Sequence, residues 1–403
     1  MVSLSGVTGA RQARLGRRAG FKVAAYAFAV TMLGTTLPTP LYGLYQAEFG
    51  FSQLMITVIF ATYAGGVIAA LLLFGRLSDE IGRRGALLPG LALSALSAVA
   101  FLLAQGLAPL LIGRVLSGLS AGIFTGTATA TLLDLAPPEG RTRATLVATI
   151  ANMGGLGCGP LLAGLVAEWS GSPLHAPFWI DLALLVPAAI GVWLLPETVT
   201  RKQRPRLRPQ GLHVPPEIRA IFIRSSLAAF AGFAVLGLFT AVAPAFLVQI
   251  LGVSSYAVVG LIVFSVFAAS AAGQLSLNTV VPDRLALPYG CGLLILGMAM
   301  LALGLADSSL PLLEIGGLLA GFGQGLSFRS GLGAVNANSP ADKRAEVASS
   351  FFVVAYVAIS IPVVGVGLLA ETAGLRSAGL IFAGVVAALS AVVLLLLARD
   401  RSA

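Results

Sequence analysis

Charge is scarce in this chain. Asp, Glu, Lys and Arg make up only 10% of its 403 residues, against about 25% in ordinary soluble domains. A water-facing fold of this length would need more, which argues against a soluble enzyme. Histidine occurs twice, as His175 and His213, both in predicted loops or span ends. No metal-ligand spacing and no Ser/His/Asp arrangement can be assembled around them. Neither a metal, nor another cofactor, nor a catalytic residue is therefore expected. Cysteine also occurs twice, and Cys158 and Cys291 each fall inside an apolar run. They read as small buried hydrophobes rather than a disulfide pair. The Gly-Lys dipeptide is absent, which removes the P-loop and with it direct ATP hydrolysis.

What the chain has instead is apolar length. It is 57% hydrophobic and its mean hydropathy is +0.95. Its apolar runs repeatedly reach the ~20 residues that cross ~30 Å of hydrocarbon. Hydropathy predicts twelve spans near 23–43, 53–75, 86–105, 108–133, 145–167, 176–196, 223–250, 256–276, 287–305, 309–333, 347–369 and 376–398. The expected fold is an all-α membrane protein of two six-helix bundles, 23–196 and 223–398. A basic, proline-rich linker, 197–222, joins them, and short tails occupy 1–22 and 399–403. The N-terminal basic segment lacks a small-residue cleavage site after it and reads as retained rather than as a cleaved signal.

The basic residues are sorted by side. Arg11, Arg14, Arg17, Arg18, Lys22, Arg76, Arg83, Arg84, Arg141, Arg143, the seven from Arg201 to Arg224, Arg284, Lys343, Arg344, Arg399 and Arg401 share one side of the predicted topology. Only Arg376 falls on the other. The positive-inside rule then places both termini in the cytoplasm, in a cell (inner) membrane. The net charge of +9 reflects that topology and gives no support for a nucleic-acid partner. Trp169, Trp179 and Trp193 stand at predicted span ends, where indole rings prefer the interface.

The two halves repeat. "GRTRATLVATIANMGGLGCGPLLAGLVAE" and "KRAEVASSFFVVAYVAISIPVVGVGLLAE" occupy equivalent places. Arg143 matches Arg344, Pro160 matches Pro362 and Glu168 matches Glu371. One span earlier, "GLSAG" (Gly118 to Gly122) matches "GFGQG" (Gly321 to Gly325). Six spans separate the copies, so both keep the same direction, a parallel repeat of the kind found in secondary transporters.

One stretch breaks the apolar rule. "GRLSDEIGRRGA", Gly75 to Ala86, sets Arg76, Asp79, Glu80, Arg83 and Arg84 between two long apolar runs. Arginines alone would anchor the loop. Acids carry little weight in topology, so Asp79 beside arginines points to an ion pair that can form and break. The glycines Gly75 and Gly82 allow the two helix ends to approach.

This loop resembles the signature of the major facilitator superfamily, Gly-x-Leu-x-Asp-x-x-Gly-Arg-Arg, through Gly75, Leu77, Asp79, Gly82, Arg83 and Arg84. "RVLSGLSAG" is similar to the family's second signature through Arg114 and Gly118. "GLGCGPLLAG" resembles its antiporter signature through Gly155, Gly159, Pro160 and Gly164, with Ala163 in place of one glycine. "LGTTLPTP", Leu33 to Pro40, is similar to a further motif of drug:proton antiporters. The resemblance implies a conformational latch in the loop, with Asp134 as an additional partner, and a bend in span five that favours exchange. The second half keeps Gly273 and Arg284 but not the full loop signature. In the resembling fold, spans one, four, seven and ten line a central cavity.

Charges inside spans are expensive and often functional. Arg114 lies about 9 Å from the outer end of span four, and Glu314 about 6–7 Å into span ten. A facing pair is one arrangement; two charges snorkelling outward is the other. Glu314 is the best-placed acid for a proton carrier, and Asp181 is less attractive, since it follows an interfacial tryptophan on a span expected to be peripheral. Arg329 reads as a snorkelling anchor. Pro38 and Pro40 distort span one. Tyr42 and Tyr45, just beyond, either line an outer vestibule or join the aromatic belt. Gly118, Gly122, Gly155, Gly159 and Gly164 permit close helix packing.

The expectation is a secondary active transporter, exchanging protons for small amphipathic organic compounds by alternating access, monomeric in membrane lipid. Its alternatives are a symporter or facilitator importing a sugar, amino acid or organic acid, and a sensor or scaffold that does not transport. The few polar residues in the spans disfavour a sugar site, which would need several hydrogen-bonding groups.

Overall fold

A computed structural model describes residues 15–75, 77–199 and 210–402. Arg11, Arg14, Arg76 and the linker residues 200–209 lie outside the described residues. Eleven helices are long and apolar enough to cross a membrane. In chain order they are α1 (Arg17–Phe49), α2 (Gln53–Phe74), α3 (Arg83–Leu102), α4 (Leu107–Leu135), α5 (Pro138–Trp169), α6 (Ala176–Trp193), α7 (Pro216–Ala241), α8 (Tyr256–Ser276) and α9 (Asp283–Ala306). A further helix, α10 (Leu310–Asn338), stands before α11 (Arg344–Ala373) and α12 (Leu375–Arg399). The sequence count of twelve spans is therefore met by eleven on length and apolarity. At 29 residues α10 is long enough, at about 1.5 Å per residue, to cross. Its many glycines, with Glu314, Gln324 and Arg329, dilute its apolar character.

Packing repeats between the halves. In the first, α4 packs on α1, α2 and α3, and α1 also touches α5 and α6. In the second, α10 packs on α7, α8 and α9, and α7 touches α11 and α12. Among the described residues two pairings dominate the divide, α5 with α8 and α2 with α11. They exchange under the same repeat relation. Trp169, Trp179 and Trp193 are all exposed, as rings meeting lipid headgroups would be.

Three irregularities shape the centre. The regular helix of α1 ends at Thr36 and continues through a 3-10 turn, Thr39–Leu41, between Pro38 and Tyr42. Prolines 38 and 40 withhold backbone donors there. In α5 a π-turn, Ile150–Gly154, precedes Gly155, a wide turn of the kind that often marks functional places in helices. The seventh predicted span, 223–250, is not one helix. It breaks after Ala241, where Pro244 falls, and resumes as a π-turn over Phe246–Ile250.

Candidate functional site

The face that carries the basic loops is called here the basic face, and its opposite the far face. On the basic face a short helix, Leu77–Ile81, leads to Gly82, whose φ is +90°. A side chain would be strained in that conformation, and the space its Cβ would fill holds the Glu197 carboxylate. Arg83 then starts α3. Its Nη1 donates to Asp79 Oδ1 at 2.6 Å and to Ser78 Oγ at 2.8 Å, and its Nε to Asp134 Oδ2 at 2.9 Å. Its backbone N–H donates to Glu197 Oε1 at 2.7 Å. Thr198 Oγ1 donates to the same Asp134 oxygen at 3.0 Å, and Arg17 donates to the Asp134 carbonyl. The cluster fastens the loop to the end of α4 and to the start of the linker, all within the first half. Arg84 takes no hydrogen bond or ion pair among the described residues.

The link to the second half comes from Gln210. Its backbone N–H donates to Leu72 O at 2.7 Å, and its amide nitrogen to Ala345 O at 2.8 Å. The amide also occupies the space beside Gly75. The linker thus bridges the basic ends of α2 and α11.

At mid-depth both halves enclose a cavity of about 50 Å³. Pockets for drug-sized ligands measure about 300–1,000 Å³, so the halves must part to admit one. Arg114 lies on its wall and is 1% exposed. One guanidinium nitrogen donates to Thr35 O at 2.5 Å. The guanidinium carbon stands 4.5 Å from the Tyr63 ring centroid and 5.6 Å from that of Phe60. Its Nε has no hydrogen-bond partner among the described residues.

Glu314 is not on that wall. One of its carboxylate oxygens is buried without a partner, and among the described residues it forms no ion pair with Arg114. Asp181 is 2% exposed and its Oδ1 has no partner among the described residues. Although α6 is otherwise peripheral, this side chain turns inward to α1. A Cβ added at Gly34 would lie 2.9 Å from Asp181 Oδ2. Residues 33–36 of α1 therefore meet Asp181 on one side and Arg114 on another.

The same four residues meet the antiporter-like segment. Thr36 Oγ1 donates to Leu156 O at 2.7 Å. Methyl groups at Gly155 or Gly159 would collide with the carbonyls of Ala29 and Leu33. Gly164 and Pro160 face the other half, against Tyr256 and Gly260 of α8, while Gly118 and Gly122 let α4 approach Tyr63, Val67 and Ala70 of α2. Pro40 and Tyr42 line a far-face pocket of about 210 Å³ between the halves. Tyr42 and Tyr45 are both buried, so neither belongs to the aromatic belt. Arg329 does not snorkel into lipid. Its Nη1 donates across the halves to Thr149 Oγ1 at 3.3 Å.

The repeat-matched glutamates do equivalent work on the far face. Glu168, near the end of α5, accepts from the backbone N–H of Tyr256 at 2.7 Å and of Ala257 at 3.4 Å, at the start of α8. Glu371, near the end of α11, accepts from Leu54 N–H at 3.4 Å, at the start of α2. Each receiving helix also has its own serine cap, Ser255 or Ser52. Carboxylates at helix N-termini are favourable by about 0.3–1 kcal/mol when exposed.

Two repeated six-helix halves around a mid-membrane cavity define the architecture of a secondary transporter. A family model described as Major Facilitator Superfamily matches residues 24–362, and the chain belongs to that superfamily. It is a multi-pass membrane transporter and not an enzyme. It is similar to multidrug resistance protein MdtL of Escherichia coli, 27% identical over 219 residues, which is 51% of this chain and 52% of that protein. It is also 33% identical over 137 residues to a triacylglyceride transporter of Mycolicibacterium smegmatis, covering 34% of this chain and 24% of that protein. The chain thus spans from a quarter to about half of these relatives' length. Among solved structures, a bacterial homolog to the human lysosomal transporter Spinster, inward-facing and unoccupied, gives a TM-score of 0.71 at 16% identity, covering 95% of this chain and 98% of that one. The human organic anion transporter MFSD10 gives 0.67 at 19%, covering 95% and 100%. At these identities the two structures show the fold alone.

Sequence reasoning missed Glu197, Gln210, Asn152 and Tyr356. The last two stand on the cavity wall. Glu197 opens the linker and Gln210 lies midway along it, and neither falls in a motif. Their partners are set by how the helices pack.

Proposed function

We propose that this chain is a proton-coupled exporter of small amphipathic organic compounds, working as a monomer in the cell (inner) membrane with its basic face in the cytoplasm. One observation carries the reading. The two antiporter-like stretches, Leu33 to Pro40 and Gly155 to Gly164, touch each other, and the buried Asp181 and Arg114 meet the same turn of α1. A shift of α1 between access states would change the surroundings of both charges at once. Asp181 is assigned the proton. Its side chain is almost wholly enclosed, and its Oδ1 has no hydrogen-bond partner among the described residues. Glu314 is a second candidate, away from the cavity wall but with one carboxylate oxygen buried without a partner among the described residues. The multidrug resistance relatives support export over import.

The test uses inside-out membrane vesicles and a panel of fluorescent amphiphiles. With Asp181→Asn, accumulation driven by a pH gradient is expected to be lost, while exchange of labelled for unlabelled substrate persists. Wild-type gradient-driven accumulation by Asp181→Asn would remove the assignment. The same result with Glu314→Gln instead of Asp181→Asn would move the proton to α10.

A further inference from the structure

The cavity wall is chemically lopsided. Among its described lining residues Arg114 is the one ionisable side chain whose charge is fixed at neutral pH, and no acid faces it. The first half supplies most of the polar groups around it, with Thr35, Thr36, Thr125 and Asn152 on the wall beside Phe60 and Tyr63. The second half supplies a mainly aromatic surface, Phe233, Phe267, Phe328, Phe352 and Tyr356, with Thr240 among them. Phe328 packs against Phe233 and Phe352 with ring centroids 5.1 and 6.0 Å apart.

A buried guanidinium without a carboxylate is costly. A carbonyl and a ring face satisfy Arg114 only in part, and its Nε remains unpartnered while the residue is 1% exposed. Arginine forks suit carboxylate, sulfonate and phosphate groups, which accept two hydrogen bonds side by side. A cation would meet repulsion here and no compensating acid.

We propose that the compounds carried are amphipathic monoanions, with the acidic group on Arg114 in the first half and the apolar body on the phenylalanines of the second. This names the substrate class of the cavity and rests on its reading as an exporter's binding site. A ligand held by both halves has contacts to lose whenever they rock apart, so its two ends report on both. The charge balance adds a consequence. One anion moving out while one proton moves in carries two positive charges inward per cycle. An inside-negative membrane potential would therefore drive export together with the pH gradient.

Three probes with one dansyl-undecyl body and different heads separate the possibilities: a carboxylate, a carboxamide and a trimethylammonium. Binding is measured on the detergent-purified full chain, and energised uptake in inside-out vesicles. The carboxylate is expected to bind about tenfold or more tighter than either other probe. Arg114→Gln should erase that preference while leaving carboxamide binding in place, and Arg114→Lys should keep part of it. In vesicles, a potassium diffusion potential, inside positive, should speed carboxylate uptake. Equal or tighter wild-type binding of the trimethylammonium or carboxamide probe, or a carboxylate preference that survives in Arg114→Gln, overturns the proposal. Gradient-driven uptake of the trimethylammonium probe alone would sink the anion site and leave the exporter standing. Arg114-dependent carboxylate binding with no driven uptake of any probe would do the reverse.

Discussion

Arg83 holds two carboxylates that differ in enclosure. The Asp79 side chain is 63% exposed and that of Asp134 is 32% exposed. Exposed pairs contribute about 0.2–1 kcal/mol, and Asp134 additionally receives Thr198. We predict that Asp134→Asn lowers turnover more than Asp79→Asn, with both proteins present in the membrane at near wild-type amounts. Initial uptake rates normalised to protein, compared between the two variants, check the order. Equal, unimpaired rates would mean that the cluster is only a solvated loop. The loop motif made Asp79, Arg83 and Asp134 legible in the sequence. Glu197 was not legible, because its role depends on the hole at Gly82, and that hole exists only once the linker folds back. Arg114 and Glu314 show a different limit. Counting residues fixes how deep a side chain sits in a helix and leaves its azimuth open. Arg114 turns to Thr35 and Tyr63, and the facing pair does not form.

Helix seams set the next scale. The α1–α5 seam tolerates no Cβ at Gly155 or Gly159, since the atoms in the way are backbone carbonyls that cannot rotate aside. Overpacking of this kind costs about 1–3 kcal/mol. Gly159→Ala is expected to lower thermal stability in detergent and to impair transport, whereas Gly154→Ala, which has open space around it, should do neither. On the far face, the Glu168 and Glu371 caps fasten α5 to α8 and α11 to α2. Replacing both with Gln removes two charges from helix N-termini without changing side-chain size. The expected result is a larger share of molecules open on the far face, read as wider spin-label distances between the outer ends of α2 and α11. Unchanged distances would reduce the caps to decoration of the rim. The sequence displayed this glutamate pair through its repeat, but not its purpose, because a cap across two halves is a tertiary contact. The hydropathy pattern located the helices well and overlooked the break after α7, inside the seventh predicted span. Its reading of α10 as one more apolar span missed how glycine and polar residues thin that helix.

Taken whole, the molecule is two repeated halves joined at α2–α11 and α5–α8, with a linker residue, Gln210, across their basic ends. Cysteines placed at Ser172 and at Ala341 are predicted to label from opposite sides of the membrane. The far-face Ser172 should react with an impermeant maleimide in intact cells, and the basic-face Ala341 only after permeabilisation. Labelling of both in intact cells would reverse or break the topology. The central claim is that proton and substrate move in opposite directions, and proton flux tests it most directly. The purified chain is placed in liposomes containing a trapped pH dye, with no initial pH gradient and potassium plus valinomycin to clamp the potential. The dansyl carboxylate is then loaded on one side only. Antiport predicts that protons enter the compartment the substrate leaves, at a rate abolished in Asp181→Asn. Protons moving with the substrate, or substrate moving with no proton flux, would contradict the account.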